Sequence, residues 1–254
     1  MLADTWHLFN KYLIITLRMP MWTLFGLAQP LIWLIIFGSL FSGFAKVPGF
    51  PDMSYTDYFL PGVLIMTVLF GSSWSGVSLI REITAGTVDK MLVSPVSRTA
   101  IVLSRVLHSA VQVIVQVIIV LVAASLMGAN FSWHPFDIAL ALLVVLMTGI
   151  IFAAISNGLA IMLQREEPLV IMGNMMTLPL MFFSSAMVPQ NFMPSWLQTA
   201  MVINPIEYGV TALRAILLPQ MANTETMVTG LLVLSGFTIA SMAWAITAFK
   251  SLRN

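Results

Sequence analysis

The stretch that decides the fold is residues 58–80, YFLPGVLIMTVLFGSSWSGVSLI, which has no charged side chain and is bounded by Asp57 and Arg81. As an α-helix it would be about 35 Å long, against roughly 30 Å for the hydrocarbon core of a bilayer. A helix in the core of a water-soluble domain needs no such length. The stretch therefore predicts a membrane-spanning helix.

The composition supports the same prediction for the whole chain. Hydrophobic residues make up 59% of the 254 residues and charged residues 8%, and the mean hydropathy is +0.96. Soluble domains carry about 25% charged residues, so a water-soluble fold is excluded. The basic residues form no continuous stripe, so no nucleic-acid partner is expected. The chain has no cysteine and its three histidines are scattered, so no metal or other cofactor is expected to bind.

Five further long apolar stretches predict an all-α integral membrane domain with six spans. Lipid offers backbone groups no hydrogen bonds, so spans this long and apolar must be helices. We treat residues 1–254 as one domain, with spans one to five within 20–188. The predicted spans are 20–43, 58–80, 100–127, 138–163, 168–188 and 226–248.

The basic residues predict the orientation of these spans. Six crossings place both termini on one side of the membrane, and basic residues concentrate on the cytoplasmic side of membrane proteins. Only Lys46 and Arg214 would lie on the opposite side. Both termini are therefore expected in the cytoplasm, together with Lys11, Arg18, Arg81, Lys90, Arg98, Arg105, Arg165, Lys250 and Arg253.

Residues 2–18 have the pattern of an amphipathic helix lying along the cytoplasmic leaflet. At 100° per residue, five apolar side chains fall within an arc of about 80°. These are Leu2, Trp6, Phe9, Leu13 and Leu17, and His7, Lys11 and Arg18 lie opposite them. The alternative is a frayed leader into span one.

Residues 189–218 are apolar but are too interrupted by proline to cross the membrane. Pro189, Pro194 and Pro205 break the region, and Pro219 follows it. We expect short re-entrant helices in the outer leaflet, with Trp196 and Tyr208 as interfacial anchors. Glu207 and Arg214 would share one helical face and form an ion pair or, because seven residues are two helical turns, contact neighbouring residues instead. A plain exterior loop is the alternative, although it would not require so many apolar residues.

The cytoplasmic connection between spans two and three predicts a short helix. Thr87 is a suitable N-cap, and Asp89 complements the positive end of the helix dipole. Val88, Met91 and Leu92 are apolar, with no obvious cover from the same chain. They indicate either a protein partner or packing back onto the membrane interface, and the sequence does not separate the two.

The chain lacks the residues of known hydrolytic chemistry. It has no G-x-x-x-x-G-K-[ST] phosphate loop, and the G-x-S-x-G pattern fails at Ser75. A non-catalytic protein is therefore predicted. Ion-coupled transport usually needs ionisable groups deep in the membrane, and the predicted span interiors hold only Arg105 and His108.

Two separated motifs resemble the membrane subunits of type-2 ABC exporters. The first runs from Arg81-Glu82 through Gly86-Thr87 to Leu92-Val-Ser-Pro-Val-Ser-Arg98 and resembles the family's cytoplasmic coupling segment, with Asp89 where glutamate is common. The second comprises 184–189, 193–197 and Asn204–Arg214 and resembles the outer region, with Glu207 where threonine is common.

This resemblance implies a half-transporter in which two permease copies, here a homodimer, join two ATP-binding subunits that carry ATP and Mg²⁺. It implies contact with membrane lipids and a place in a cell membrane, as in the inner membrane of a bacterium. The residues implied in coupling to the ATPase are Arg81, Glu82, Gly86, Thr87, Val88, Asp89, Met91, Leu92, Pro95 and Arg98. Those implied in an outer gate are Asn204, Pro205, Glu207, Tyr208 and Arg214.

The expected substrate is an amphipathic molecule of drug or antibiotic type, as in daunorubicin-resistance exporters. Export of polysaccharide, glycolipid or lipo-oligosaccharide is the first alternative, an ion-coupled carrier or channel the second, and a structural assembly factor the third. Span five could line the path with flexible apolar side chains, although helix packing explains them as well. These are Met172, Met175, Met176, Phe182 and Phe183.

Overall fold

The computed structural model describes residues 2–18, 20–86 and 98–251, and all regular structure in these ranges is helical. This confirms the predicted all-α class. Short 3₁₀ turns at Ser42–Lys46, Gln190–Phe192 and Pro219–Met221 connect the helices. The helices are α1 (Leu2–Arg18), α2 (Pro20–Leu40), α3 (Tyr55–Ser73), α4 (Ser75–Thr84), α5 (Arg98–Leu126), α6 (Pro135–Leu163), α7 (Glu166–Phe182), α8 (Ser195–Met201), α9 (Pro205–Leu217) and α10 (Thr224–Ser251).

Several of these helices are suited to a bilayer. Four described stretches are long and apolar enough to cross one, namely Tyr55–Thr84, His108–Leu126, Pro135–Leu163 and Thr224–Ala248. Gly26–Leu40 of α2 is apolar but shorter. The chain is thus a multi-pass membrane protein, while the crossing of α2 and α7 remains a prediction.

Two predicted spans end earlier in the structure than in the sequence analysis. The first was expected to reach residue 43 and the fifth residue 188, but α2 ends at Leu40 and α7 at Phe182. The chain after α2 tightens into the 3₁₀ turn at Ser42–Lys46. The chain after α7 is held in a turn by hydrogen bonds to other helices. Apolar side chains continue through both turns, so hydropathy alone placed the ends of these two spans too late in the sequence.

Helix α3 forms the centre of the bundle. Phe59, Leu60, Val63, Leu64 and Ile65 are all fully buried in it. Helices α2, α5, α6, α7 and α9 pack around α3, and α10 packs against α6 and α9. Most of residues 58–69 therefore lies in the core of the molecule, while Trp74, further along the same stretch, is exposed.

The predicted second span is broken at Trp74 into α3 and α4. Ser156 of α6 satisfies the backbone groups that this break leaves without helical partners. Its Oγ donates to the Ser73 carbonyl (2.6 Å) and accepts from the Gly76 N–H (3.0 Å). A Cβ at residue 76 would lie 2.3 Å from the Ser156 carbonyl oxygen, so only glycine allows this approach. A break within a membrane helix requires such partners for the freed backbone groups.

The start of α3 is fixed by a capping box. Ser54 Oγ accepts from the Asp57 N–H (3.1 Å), and the Asp57 carboxylate accepts from the Ser54 N–H (3.3 Å). Asp57 is buried, and it also accepts from the Asn130 N–H at 2.7 Å. This carboxylate therefore joins the α2–α3 and α5–α6 connections, which places them at the same end of the bundle.

Helix α1 packs mainly against α5. The ring of Tyr12 lies 5.9 Å from the ring of His108, while the Trp6 side chain is 62% exposed. A helix with one packed face and an exposed tryptophan suits the edge of a membrane domain. Its predicted position along the leaflet stays a prediction.

Candidate functional site

Arg214 on α9 is the centre of a buried polar cluster. Only 3% of its surface is exposed, and its guanidinium lies over the ring of Tyr58, 3.7 Å from the centroid. Its Nη1 donates to Ser185 Oγ (2.7 Å) and its Nη2 donates to the Ser185 carbonyl (2.6 Å). Stacking and charge-assisted hydrogen bonds together compensate for the lost hydration of this buried cation.

Glu207 reaches the same serine from the first turn of α9. Its carboxylate oxygens accept from the Ser185 Oγ–H (2.9 Å) and the Ser185 N–H. Of the two alternatives for Glu207 and Arg214, the structure has contact with a neighbour, since Ser185 bridges the two charges in place of a direct ion pair. Their shared helical face was predicted from their spacing, but the bridging serine comes from the turn after α7, which spacing within α9 cannot reveal.

Asn204 ties the end of α7 to the start of α9. Its Oδ1 caps α9 by accepting from the Ile206 N–H (3.0 Å). Its Nδ2 donates to the Leu180 carbonyl (2.6 Å) and to the Phe183 carbonyl. Pro205 occupies the first helical position, where its missing N–H is not needed. One buried side chain thus orders two helix ends.

Two tyrosines of α3 complete this cluster. Tyr58 Oη donates to the Ser185 carbonyl (3.2 Å) and Tyr55 Oη to the Met187 carbonyl (3.0 Å). One turn beyond Tyr58, Gly62 allows the Ala186 backbone to approach, since a Cβ there would lie 2.5 Å from the Ala186 carbonyl oxygen. We call this set the outer clamp, and its members are Tyr55, Tyr58, Ser185, Asn204, Glu207 and Arg214.

Tyr208 lies beside the outer clamp and not within it. Its hydroxyl donates to the Val202 carbonyl (2.7 Å), which fixes the link between α8 and α9. A cleft of about 300 Å³ opens next to it, and both Glu207 and Glu225 line this cleft. The structure therefore brings all five outer-gate residues to the N-terminal part of α9 or its buried face. The sequence analysis included Ser185 in the outer-region motif at 184–189 without giving it a role, and it missed Tyr55 and Tyr58, whose only signal is the aromatic pair at the start of α3.

At the opposite end of the bundle, Arg81 forms a two-pronged ion pair with Glu166. Arg81 Nε lies 3.1 Å from Glu166 Oε1 and Nη2 lies 3.1 Å from Oε2. This links the last turn of α4 to the first turn of α7. The sequence analysis assigned Arg81 to coupling but did not find Glu166.

Part of the expected coupling segment lies within the described residues. Glu82 is half-buried on α4, and Gly86 ends that helix with a φ of +64°, a conformation that favours glycine. Arg98 begins α5. Thr87, Val88, Asp89, Met91, Leu92 and Pro95 lie outside the described residues, so their expected helix stays a prediction.

The expected path residues of α7 lie mostly on its outer surface. Met172, Met175, Met176 and Phe182 are exposed, while Phe183 packs edge-on against Trp196 with ring centroids 6.1 Å apart. Met176 also borders a cavity of about 20 Å³, enough for about one water molecule. A path lined by these methionines would therefore need a further surface opposite α7.

No group of three histidine, cysteine, aspartate or glutamate side chains converges within residues 2–18, 20–86 and 98–251. The two main groups of interacting polar side chains in the described residues are therefore the buried outer clamp and the exposed Arg81–Glu166 pair. Both act between helices. The long apolar helices and these interhelical polar contacts define a polytopic α-helical membrane protein.

Comparison with known proteins identifies its family. Residues 3–218 match the ABC-2 type transporter family, and the chain belongs to that family. A protein of Cyanophora paradoxa named "Putative transport permease ycf38" is 33% identical over 201 residues, which cover 78% of this chain and 68% of the relative.

Two bacterial relatives carry drug-resistance names. The "Daunorubicin resistance ABC transporter permease protein DrrB1" of Streptomyces coeruleorubidus is 26% identical over 191 residues, covering 74% of this chain and 66% of the relative. The "Probable doxorubicin resistance ABC transporter permease protein DrrC" of Mycobacterium tuberculosis is 24% identical over 190 residues, covering 74% and 67%. The resemblance expected from the two motifs is confirmed.

Proposed function

We propose that the chain is the membrane-spanning permease subunit of an ATP-driven exporter of amphipathic, drug-like molecules. The observation that carries the proposal is the family match over residues 3–218, which includes both the predicted coupling segment and the outer clamp. Relatives named for daunorubicin and doxorubicin resistance support the substrate class.

In this proposal two copies of the chain pair in a cell membrane, each with six spans and both termini in the cytoplasm. Helices α8 and α9 dip into the outer leaflet without crossing it. Two ATP-binding subunits, which carry ATP and Mg²⁺, dock on the cytoplasmic face. The chain supplies no phosphate loop of its own, so a partner must supply the hydrolysis.

The two polar contacts have complementary roles in this mechanism. The exposed Arg81–Glu166 pair joins the helix leading into the coupling segment to the start of α7. The outer clamp joins the far end of α7 to α3 and α9. Motion imposed by the ATPase near Gly86 would thus reach the outer region through α7, a helix held at both ends.

The test is co-purification followed by transport. We expect the chain solubilised from native membranes to bring with it a stoichiometric ATP-binding protein without spans of its own. Vesicles containing both should concentrate an amphipathic dye or drug only when ATP is present. Transport by the chain alone along a proton gradient would contradict the proposal, and so would failure of any ATP-binding protein to associate.

A further inference from the structure

Gln116 of α5 is a buried amide for which the described part of the chain supplies no partner. Only 3% of its surface is exposed, and its side chain forms no hydrogen bond to any described residue. It lies one residue from the middle of His108–Leu126, a stretch that is long and apolar enough to cross a bilayer. Such an amide is unfavourable, because its donors and its acceptor have lost water without replacement. A buried polar group of this kind points to a partner outside the chain.

Other buried polar side chains show how this chain normally avoids that cost. Thr67 and Thr148 are buried, and each hydroxyl donates to the backbone carbonyl four residues earlier, at 2.8 and 2.9 Å. Asn204, also a buried amide, bonds to the Ile206 N–H and to two backbone carbonyls. Gln116 is buried as deeply as these side chains but has no such bonds, so its burial is not explained by the fold alone.

Both ends of the Gln116 amide face a glycine. A Cβ on Gly26 of α2 would lie 3.7 Å from Gln116 Nε2, and one on Gly71 of α3 would lie 3.5 Å from Gln116 Oε1. Both glycines are exposed at the surface of the bundle. Because glycine has no side chain, a ligand group can approach the donor and acceptor ends of the amide between α2 and α3. We call Gly26, Gly71 and Gln116 the amide site.

Polar side chains lead along α5 to the amide site. Every fourth residue from position 104 is polar, namely Ser104, His108, Gln112 and Gln116. Residues four apart are neighbours on the surface of an α-helix, so these side chains form a ridge about 18 Å long. Gln112 is half-buried and also forms no hydrogen bond to a described residue. A hydrogen-bonding group moving along this ridge could exchange one polar partner for the next.

We propose that Gln116 binds a neutral hydrogen-bonding group, such as a secondary amide, of the molecule that the permease exports. This inference rests on the proposed export function. The Gln116 side chain is uncharged and presents both donors and an acceptor, so it is complementary to a group that presents both. A charged group would be unfavourable at this depth without a counter-ion, which Gln116 does not supply. The ridge begins near the proposed cytoplasmic end of α5, so the group would enter from that side.

The variant Gln116→Met separates a binding role from a structural role. Methionine has a similar length but lacks the amide, so the variant removes an unpaired polar group from an apolar environment. We expect the unfolding midpoint of the detergent-purified permease to rise by about 2–4 °C. An amide that is satisfied within the fold would give the opposite sign. A fall in the midpoint would therefore overturn the proposal.

Transport is measured with two matched probes in inverted vesicles of native membranes that contain the permease and its ATPase. One probe is a dansyl-labelled alkyl chain with a secondary amide, and the other has the N-methylated form of that amide, which lacks the N–H donor. We expect ATP-dependent uptake of the first probe to exceed that of the second by about fivefold, the equivalent of one hydrogen bond. In Gln116→Met both probes should be taken up equally.

Ser235→Ala is the control for loss of a polar side chain, because the Ser235 hydroxyl donates to the Leu231 carbonyl within its own helix. This variant should keep the preference for the secondary amide. The approach to the amide is tested at Gly71, where an alanine Cβ would lie at an ordinary contact distance but the branches of isoleucine would cover Gln116 Oε1. Gly71→Ala should keep the preference and Gly71→Ile should abolish it. A preference retained in Gly71→Ile would overturn the proposed approach to the amide.

These measurements separate failure of the amide site from failure of the proposed function. If the unsubstituted complex takes up both probes equally, or if Gln116→Met keeps the preference, export stands and the amide site is overturned. If no ATP-binding protein associates and no amphipathic dye or drug is concentrated, the export function itself is contradicted, and the amide site as a substrate site is overturned with it.

Discussion

At the scale of single residues, we expect the stability of the folded protein to depend most on the charges of Arg214 and Glu207. Both bond to Ser185, so either one left alone keeps an uncompensated charge in a buried site. We expect Arg214→Met to destabilise the detergent-purified protein by about 3 kcal/mol, within the range for breaking a buried pair. Thermal unfolding followed by tryptophan fluorescence would measure this.

The double variant Arg214→Met with Glu207→Gln is the matched control for that change. Because the second substitution removes the orphaned charge, the loss should be smaller than the sum of the two single losses by at least ~1 kcal/mol. Strictly additive losses would show that the two charges act independently, and would contradict the bridge through Ser185.

Arg81 presents the opposite case, because its ion pair with Glu166 is exposed to solvent. The two side chains are 62% and 38% exposed. Exposed pairs contribute about 1 kcal/mol or less, so Arg81→Glu should shift thermal stability little. If the pair transmits motion, the same variant should lower substrate-stimulated ATPase activity of the complex, and Arg81→Glu with Glu166→Arg should restore it. Loss without rescue would assign Arg81 to another partner.

Contacts between side chains that are distant in sequence were predicted less well than the helices. Spacing placed Glu207 and Arg214 on one helical face, but Ser185 and Tyr58 reach Arg214 from 29 and 156 residues away. Glu166 meets Arg81 across 85 residues. Without such distant pairings, an isolated charge in an apolar region can be recognised as unusual, but its partner cannot be named.

At the scale of helices, the break between α3 and α4 should depend on one hydroxyl. Ser156→Ala would leave both the Gly76 N–H and the Ser73 carbonyl without their partner. Unsatisfied buried groups cost about 1–3 kcal/mol, or several degrees in the unfolding midpoint of a protein of this size. Ser78→Ala is the control, because that hydroxyl is exposed and donates only within its own helix.

Gly76→Ala should be more damaging than Ser156→Ala, since its Cβ would collide with the Ser156 backbone as well as with the Ser156 hydroxyl, and the backbone cannot move aside. If both substitutions were tolerated like Ser78→Ala, the break would not depend on this contact. Equal losses at Ser156 and Ser78 would likewise argue against it.

Hydropathy and proline placement predicted the helices far better than their ends. The apolar stretches yielded every long helix of the described chain, and Pro189, Pro194 and Pro205 marked the short helices α8 and α9. The stops at Leu40 and Phe182 and the break at Trp74 were missed. The stop at Phe182 and the break at Trp74 are accompanied by hydrogen bonds from other helices, and the stop at Leu40 by a local 3₁₀ turn; an average of local hydropathy detects neither.

At the scale of the whole molecule, the six-span arrangement predicts which connections face each side. The buried carboxylate of Asp57 joins two connections at one end, so cysteines placed at Asp52 and Trp133 should behave alike. We expect a membrane-impermeant thiol reagent to label both in intact cells, together with Thr224→Cys. Gln164→Cys should react only after the membrane is opened, and labelling of Gln164 in intact cells would invert or change the proposed topology.

The last prediction concerns how the machine is driven, and it falls on residues 87–93, between α4 and α5. We expect Val88, Met91 and Leu92 to seat in an apolar groove of the ATP-binding subunit. Met91→Asp with Leu92→Asp would bury unpaired charge there, at a cost of several kcal/mol, enough to displace the partner. Membrane insertion should survive, because the change lies outside every helix proposed to cross. The variant should therefore reach normal levels in the membrane, lose its ATPase on purification and lose ATP-dependent transport. Met91→Leu with Leu92→Met keeps the apolar character and is expected to retain all three. Normal transport by the aspartate variant with its ATPase still bound would show that this segment is an ordinary connection. Another part of the chain would then have to transmit the ATP-driven motion to the helices.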